Sequence, residues 1–151
     1  MNENMIKIEK EEYRLKCLNI DKQDKNNIFY IKDLIKYMEK YEVNSKVMEI
    51  KEIWVKPELR NKGVGTSILR EICSRNEDKI IIMVSQVLRK EFTKPPAYET
   101  LVNINKRLSE YYENLGFINV NRYIGKYNVK NTFIYPNQSS GKLISKLLNN
   151  N

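Results

Sequence analysis

The run Ile80-Ile81-Ile82-Met83-Val84 constrains the fold of this 151-residue chain more than any other feature. A strand with one wet face alternates apolar and polar residues, so five apolar residues in a row, mostly β-branched, predict burial on both faces. A strand of that kind, here Lys79–Leu88, needs a helix layer on each side. The flanking sequence supplies two amphipathic patterns: Val64, Ile68, Leu69 and Ile72 before it, and Leu101, Ile104, Leu108, Tyr111, Tyr112 and Leu115 after it. Lys46–Val55 reads as a further strand, stopped by Pro57, whose missing N–H cannot serve a central ladder. This strand–helix–strand–helix–strand middle predicts an α/β domain.

Around that centre, Met5–Glu9 and Tyr13–Ile20 alternate as strands of a hairpin turning through Lys10-Glu11. Asp21–Asn27 is a polar loop. Ile28, Ile31, Leu34, Ile35 and Met38 then predict a helix to about Tyr41. The second helix is expected from about Gly65 to Arg75. The third is expected from near Thr100 to Leu115, with Gly116 as its stop. Phe117–Tyr123 and Lys126–Tyr135 read as closing strands and Leu143–Leu148 as a short terminal helix. The length predicts a single domain over residues 1–148, with a disordered asparagine tail at 149–151.

Composition narrows the chemistry. With no histidine, neither a Ser-His-Asp nor a Cys-His pair can be assembled, and no imidazole is available to a zinc site. No metal site is therefore expected, and proton transfer falls to carboxylates, tyrosine, lysine, main chain or water. Cys17 and Cys73 do not form a CxxC pair and read as small buried hydrophobes. No apolar stretch approaches a membrane span, and Met1–Lys10 is charged throughout, so a cytoplasmic location is expected. The net charge of +8 favours anionic partners. Lys and Arg are nonetheless scattered, in a chain also rich in Asn and Ile, as a compositional bias of the source genome would leave them.

The segment Pro57-Glu58-Leu59-Arg60-Asn61-Lys62-Gly63-Val64-Gly65 joins a strand to a helix. The first N–H groups of a helix lack internal partners and carry partial positive charge, so a pyrophosphate can accept from them if the backbone comes close. Gly63 permits that approach and can take positive φ. Gly65 lets the first turn pack on the sheet while Val64 points toward the core. Arg60 and Lys62 add charge. Neither a GxGxxG fingerprint nor a Walker A loop fits, because Ile68 stands where a third glycine would be needed and no Gly-Lys-Ser/Thr follows.

The longer pattern Val55-x-Pro57-x-x-Arg60-x-x-Gly63-x-Gly65 resembles the acetyl-CoA signature of the GCN5-related N-acetyltransferase (GNAT) superfamily. Tyr112-Glu113-Asn114-Leu115-Gly116-Phe117 resembles the family's YxxxGF element, and Met48–Val55 its strand into the pyrophosphate loop. The resemblance covers Met48 to Phe117. It implies a GNAT-like α/β fold, a mixed central sheet flanked by helices, and acetyl-CoA as cofactor.

By the same resemblance, main-chain groups of Ile53 and Val55 hold the pantetheine arm, and the amides of Asn61, Lys62, Gly63, Val64, Gly65 and Thr66 hold the pyrophosphate. Asn105 matches an asparagine that binds the CoA arm. Tyr112 matches the general acid that protonates the thiolate, with Tyr111 beside it an ordinary packing aromatic. Glu49 is the candidate base and Glu52 the second. Strand alternation places Glu49 with Lys51, Ile53 and Val55, and Glu52 on the other side with Met48, Ile50 and Trp54. Other members place the base on the next strand, where this chain offers Met83, Ser85 and Gln86. Arg89–Asn103 reads as an insertion beside the acceptor. The expected acceptor is a primary amine on a small molecule, a protein or an aminoacyl-tRNA. Self-association as a homodimer stands beside these as a further expectation. The competing reading is a noncatalytic CoA-binding regulatory module.

Overall fold

The computed structural model describes residues 5–88, 97–124 and 128–149. In chain order the elements are β1 (Met5–Glu9), β2 (Tyr13–Asn19), α1 (Phe29–Lys40), β3 (Lys46–Val55), α2 (Val64–Ser74), β4 (Lys79–Leu88), α3 (Tyr98–Asn114), β5 (Ile118–Ile124), β6 (Asn128–Ile134) and α4 (Gly141–Asn149). A single 3₁₀ turn, Pro57–Leu59, connects β3 to the approach of α2. Among the described residues the strands form one sheet in the order β1-β2-β3-β4-β6-β5. β3 and β4 are parallel and every other neighbouring pair is antiparallel, so the sheet is mixed.

The apolar run does what its lack of alternation predicts. Ile80 and Ile82 enter one core with Ile31, Leu34 and Met38 of α1 and Leu143 and Leu147 of α4. Ile81 and Met83 enter a second core with Leu69 and Cys73 of α2, together with Phe117 and Phe133. Helices α1 and α4 therefore cover one face of the sheet, and α2 and α3 the other. Ile80, Ile81 and Ile82 are fully buried. Cys17 and Cys73 lie in the second core as free thiols, as expected of small hydrophobes.

Two features of β3 shape everything that follows. Its pairing with β4 runs only from Lys46↔Lys79 to Ile50↔Met83. Beyond that point β4 pairs with β6 alone and β3 with β2 alone, so the two parallel strands part. The second feature is a bulge: Cys17 faces Ile50 while Lys16 faces Glu52, leaving Lys51 as the extra residue of β3. Directly opposed residues share a face, so the bulge puts Glu49, Glu52 and Trp54 on one face and Met48, Ile50, Ile53 and Val55 on the other. The expected separation of Glu49 from Glu52 by simple alternation is thus corrected. Alternation holds only while the pairing register holds.

Helix α3 begins at Tyr98, so Tyr98–Asn103 belong to its first turns and not to a loop. The rest of the expected insertion, residues 89–96, lies outside the described residues. Helix α4 runs to Asn149, the first residue of the expected tail. No helix among the described residues is long and apolar enough to cross a membrane.

Candidate active site

The turn between β3 and α2 is built by backbone geometry. Asn61 has φ 63° and Gly63 φ 80°, a left-handed pair that reverses the chain into the helix. Gly63 is the residue before the first turn of α2, and no side chain caps that turn. Its free amides open onto a cleft of about 580 Å³, within the size range of small-molecule sites. Ile53, Trp54 and Val55 of β3 form one wall, and Leu108, Tyr111 and Tyr112 of α3 the other. Arg60, Asn61, Gly63, Val64, Gly65 and Thr66 close the end beside α2. The cleft occupies the space opened where β3 leaves β4, so the main-chain groups of Lys51–Val55 on that side have no strand partner among the described residues.

Most of the expected cofactor residues therefore converge. Three sit differently from their expected roles. Lys62 is exposed and does not line the cleft. Arg60 donates from Nε to the Val55 carbonyl at 2.9 Å, tying the loop to the end of β3. Val64 lines the cleft and is only half-buried, so it does not point into the core.

Tyr112 is half-buried, edge-on to Phe133 with ring centroids 5.4 Å apart. Burial and then the neighbouring Tyr111 phenol push its pKa up from the ordinary value, which keeps it protonated. Glu49 lies at the point where the strands part, on the α1 face, and is 2% exposed. Tyr30 of α1 donates its hydroxyl to Glu49 Oε2 at 3.1 Å. The Lys51 ammonium stands 3.1 Å from Oε1, which nevertheless accepts no aligned hydrogen bond among the described residues. That contact is Coulombic. Burial works against the Lys51 charge, but the Glu49 carboxylate outweighs it and its pKa is raised. Glu52 is about half exposed and paired with Arg14 at 3.2 Å, and Arg14 also covers the Trp54 ring at 4.3 Å.

The model of the acetyltransferase (GNAT) family matches residues 10–117. This chain belongs to the GNAT acetyltransferase family. Among solved structures, it is similar to Arabidopsis thaliana NAA60 in complex with a bisubstrate analogue (14% identity, TM-score 0.53, covering 85% of this chain and 66% of that one). It is also similar to the same protein in complex with acetyl-CoA (15% identity, TM-score 0.50, covering 82% and 64%). At that identity the likeness bears on the fold alone, and the chain spans just under two-thirds of those proteins' length. Among curated protein sequences none matches it.

In this GNAT domain two residues depart from the sequence reading. Asn105 lies mid-helix, fully buried, and does not reach the cleft wall. Its Oδ1 receives the Ser85 hydroxyl at 3.4 Å, and its buried Nδ2 has no partner among the described residues. Tyr111 is no mere packing aromatic: it is 47% exposed and lines the cleft. Its hydroxyl stands 3.1 Å from where a Cβ on Gly65 would be, which gives Gly65 a reason beyond sheet packing. The signal was present in Leu108, Tyr111 and Leu115, a stripe at helical spacing that widens the apolar face beyond what the sheet covers. Tyr30 and Lys51 left no such signal, since neither lies in a motif.

Proposed function

We propose that this chain is an acetyl-CoA-dependent N-acetyltransferase that moves an acetyl group to a primary amine by direct attack on the thioester. One observation carries the reading: the uncapped first turn of α2 and the unpaired edge of β3 open onto the same cleft, with Tyr112 on its opposite wall. Amides at a helix start suit a pyrophosphate, and an unpaired strand edge suits the amide-bearing pantetheine arm. Left-handed Gly63, with nothing within 4 Å of its Cβ position, leaves room for a group against the backbone.

A bound thioester supplies an electrophilic carbonyl carbon and a thiolate leaving group. Glu49, buried where the strands part, takes the proton of the incoming amine. Tyr112, held protonated by burial, gives a proton to the departing sulfur. Glu52 is the weaker base candidate because Arg14 already engages it in solvent.

The test is a melting curve with saturating acetyl-CoA, which should raise Tm by mass action. Gly63→Asp, placing a carboxylate at the first turn, should abolish the shift. No shift in the unaltered protein overturns the reading. A shift with no thiol release across peptide, polyamine and aminoacyl-tRNA acceptors would favour the noncatalytic module instead.

A further inference from the structure

An amine of the chain itself lies beside Glu49, next to the cleft but not among its lining residues. Lys51 is the bulged residue of β3 and the first one past the last β3–β4 pair, Ile50↔Met83. Its ammonium lies 3.1 Å from the Glu49 carboxylate, where an acceptor amine would have to come to lose a proton. Its side chain is about one-third exposed, so it is neither locked in the core nor fully solvated.

The direction of β3 supplies the third component. A pyrophosphate on the first turn of α2 fixes one end of the cofactor just beyond Val55. An arm following the unpaired edge back through Ile53 advances about 3.3 Å per residue. Lys51 lies four residues back from Val55, about 13 Å along that edge, beside Glu49.

We propose that Lys51 is a self-acetylation site. This rests on the acetyl-CoA reading above and adds the chain's own lysine as an acceptor. The Lys51 ammonium gives one proton to Glu49, and the free amine attacks the thioester carbonyl carbon. The new C–N bond forms as the C–S bond breaks, and the thiolate leaves with a proton from Tyr112. The second nitrogen proton passes through solvent to the Tyr112 phenolate as the neutral amide forms, and Glu49 returns its proton to solvent. The product is an uncharged amide, which cannot ion-pair with Glu49. Oε1 is thereby vacated for an external amine. Arg14 on the same face is engaged elsewhere, stacked on Trp54 and paired with Glu52.

The experiment incubates the full chain with trideuteroacetyl-CoA, which distinguishes new groups from any acquired during expression. Peptide mass spectrometry then measures label at Lys51 against exposed Lys36 and Lys40. Label at Lys51 should accumulate at least ten-fold faster, and its rate per molecule should not change on ten-fold dilution, as an intramolecular step requires. Glu49→Gln should bring Lys51 down to the rate of the other two. Lys51→Arg, which keeps the cation, should fold with an unaltered Tm shift on acetyl-CoA and lose the fast label. Label at Lys51 no faster than at Lys36 and Lys40, or a rate indifferent to Glu49→Gln in a folded variant, overturns the proposal. If acetyl-CoA still raises Tm in that case, only the self-acetylation fails. If it raises no Tm at all, both readings fall.

Discussion

Tyr111 and Tyr112 are sequence neighbours on different faces of α3, one nearly half exposed over Gly65 and the other packed edge-on to Phe133. Removing single hydroxyls should separate them. Tyr112→Phe is expected to lower kcat by about 10²–10⁴, the range of a lost general acid, with little change in acetyl-CoA affinity. Tyr111→Phe should leave kcat within a few-fold and weaken acetyl-CoA binding up to about ten-fold, the worth of one neutral hydrogen bond. Steady-state kinetics and a binding isotherm decide between these outcomes, and identical effects from both variants would contradict the assignment. The pH profile belongs to the same residue. Burial, with the Tyr111 phenol adding to it, raises the Tyr112 pKa above the ordinary 10.0 of a tyrosine, so the acid form persists to higher pH. The alkaline fall in kcat should therefore lie at higher pH than an exposed phenol would give, and be absent from what activity remains in Tyr112→Phe.

At the scale of elements, α3 meets the sheet through a seam of polar side chains. Ser85 meets Asn105, and Asn131 donates to Ser109 at 2.7 Å while accepting from Asn119 at 3.2 Å. Among the described residues the seam is satisfied except at Asn105 Nδ2. An unpaired buried donor costs about 1–3 kcal/mol, so an apolar residue of similar volume should relieve it. Asn105→Leu is expected to raise the denaturant midpoint of the free protein. It should also weaken acetyl-CoA binding if the orphaned amide turns toward the cofactor on binding, a trade of stability against function. A lowered midpoint would mean that the amide already has a partner the seam depends on. The β3 bulge acts on the same scale: without Lys51 as the extra residue, Glu49 and Glu52 would occupy opposite faces.

For the whole molecule, burial in the second core makes the thiols inert. Burial pushes Cys17 up to about 11, with Lys79 opposing it, and pushes Cys73 up to about 12, with Cys17 adding to it. Both folded values exceed the ordinary thiol value of 9.0, so burying the neutral thiols stabilises the fold fully below pH 9. That contribution is lost as pH rises through about 11 to 12. A thiol reagent at pH 8 should detect no cysteine in the native protein and both in denaturant. Unfolding midpoints should decline above about pH 9. Fast native labelling at pH 8 would contradict the packing of α2 on the sheet.

Much of this was readable in the chain itself. The unbroken apolar run Ile80–Val84 required helices on both faces, and Pro57, Gly63 and Gly65 marked where a strand hands over to a helix that can take a phosphate. These are local properties: side-chain periodicity, a missing N–H, a permitted positive φ. The strand Lys79–Leu88 and the strand Lys46–Val55 accordingly fall where periodicity put them. What depended on pairing between distant segments was not local. The bulge at Lys51 exists only because β2 fixes the register of β3, and the cleft exists only because β4 leaves β3 after Met83 to follow β6. Tyr30 meets Glu49 and Tyr111 meets Gly65 across 19 and 46 positions of chain, respectively. No periodicity within either segment carries that information, so the company kept by Glu49 and by the loop was decided by tertiary packing alone.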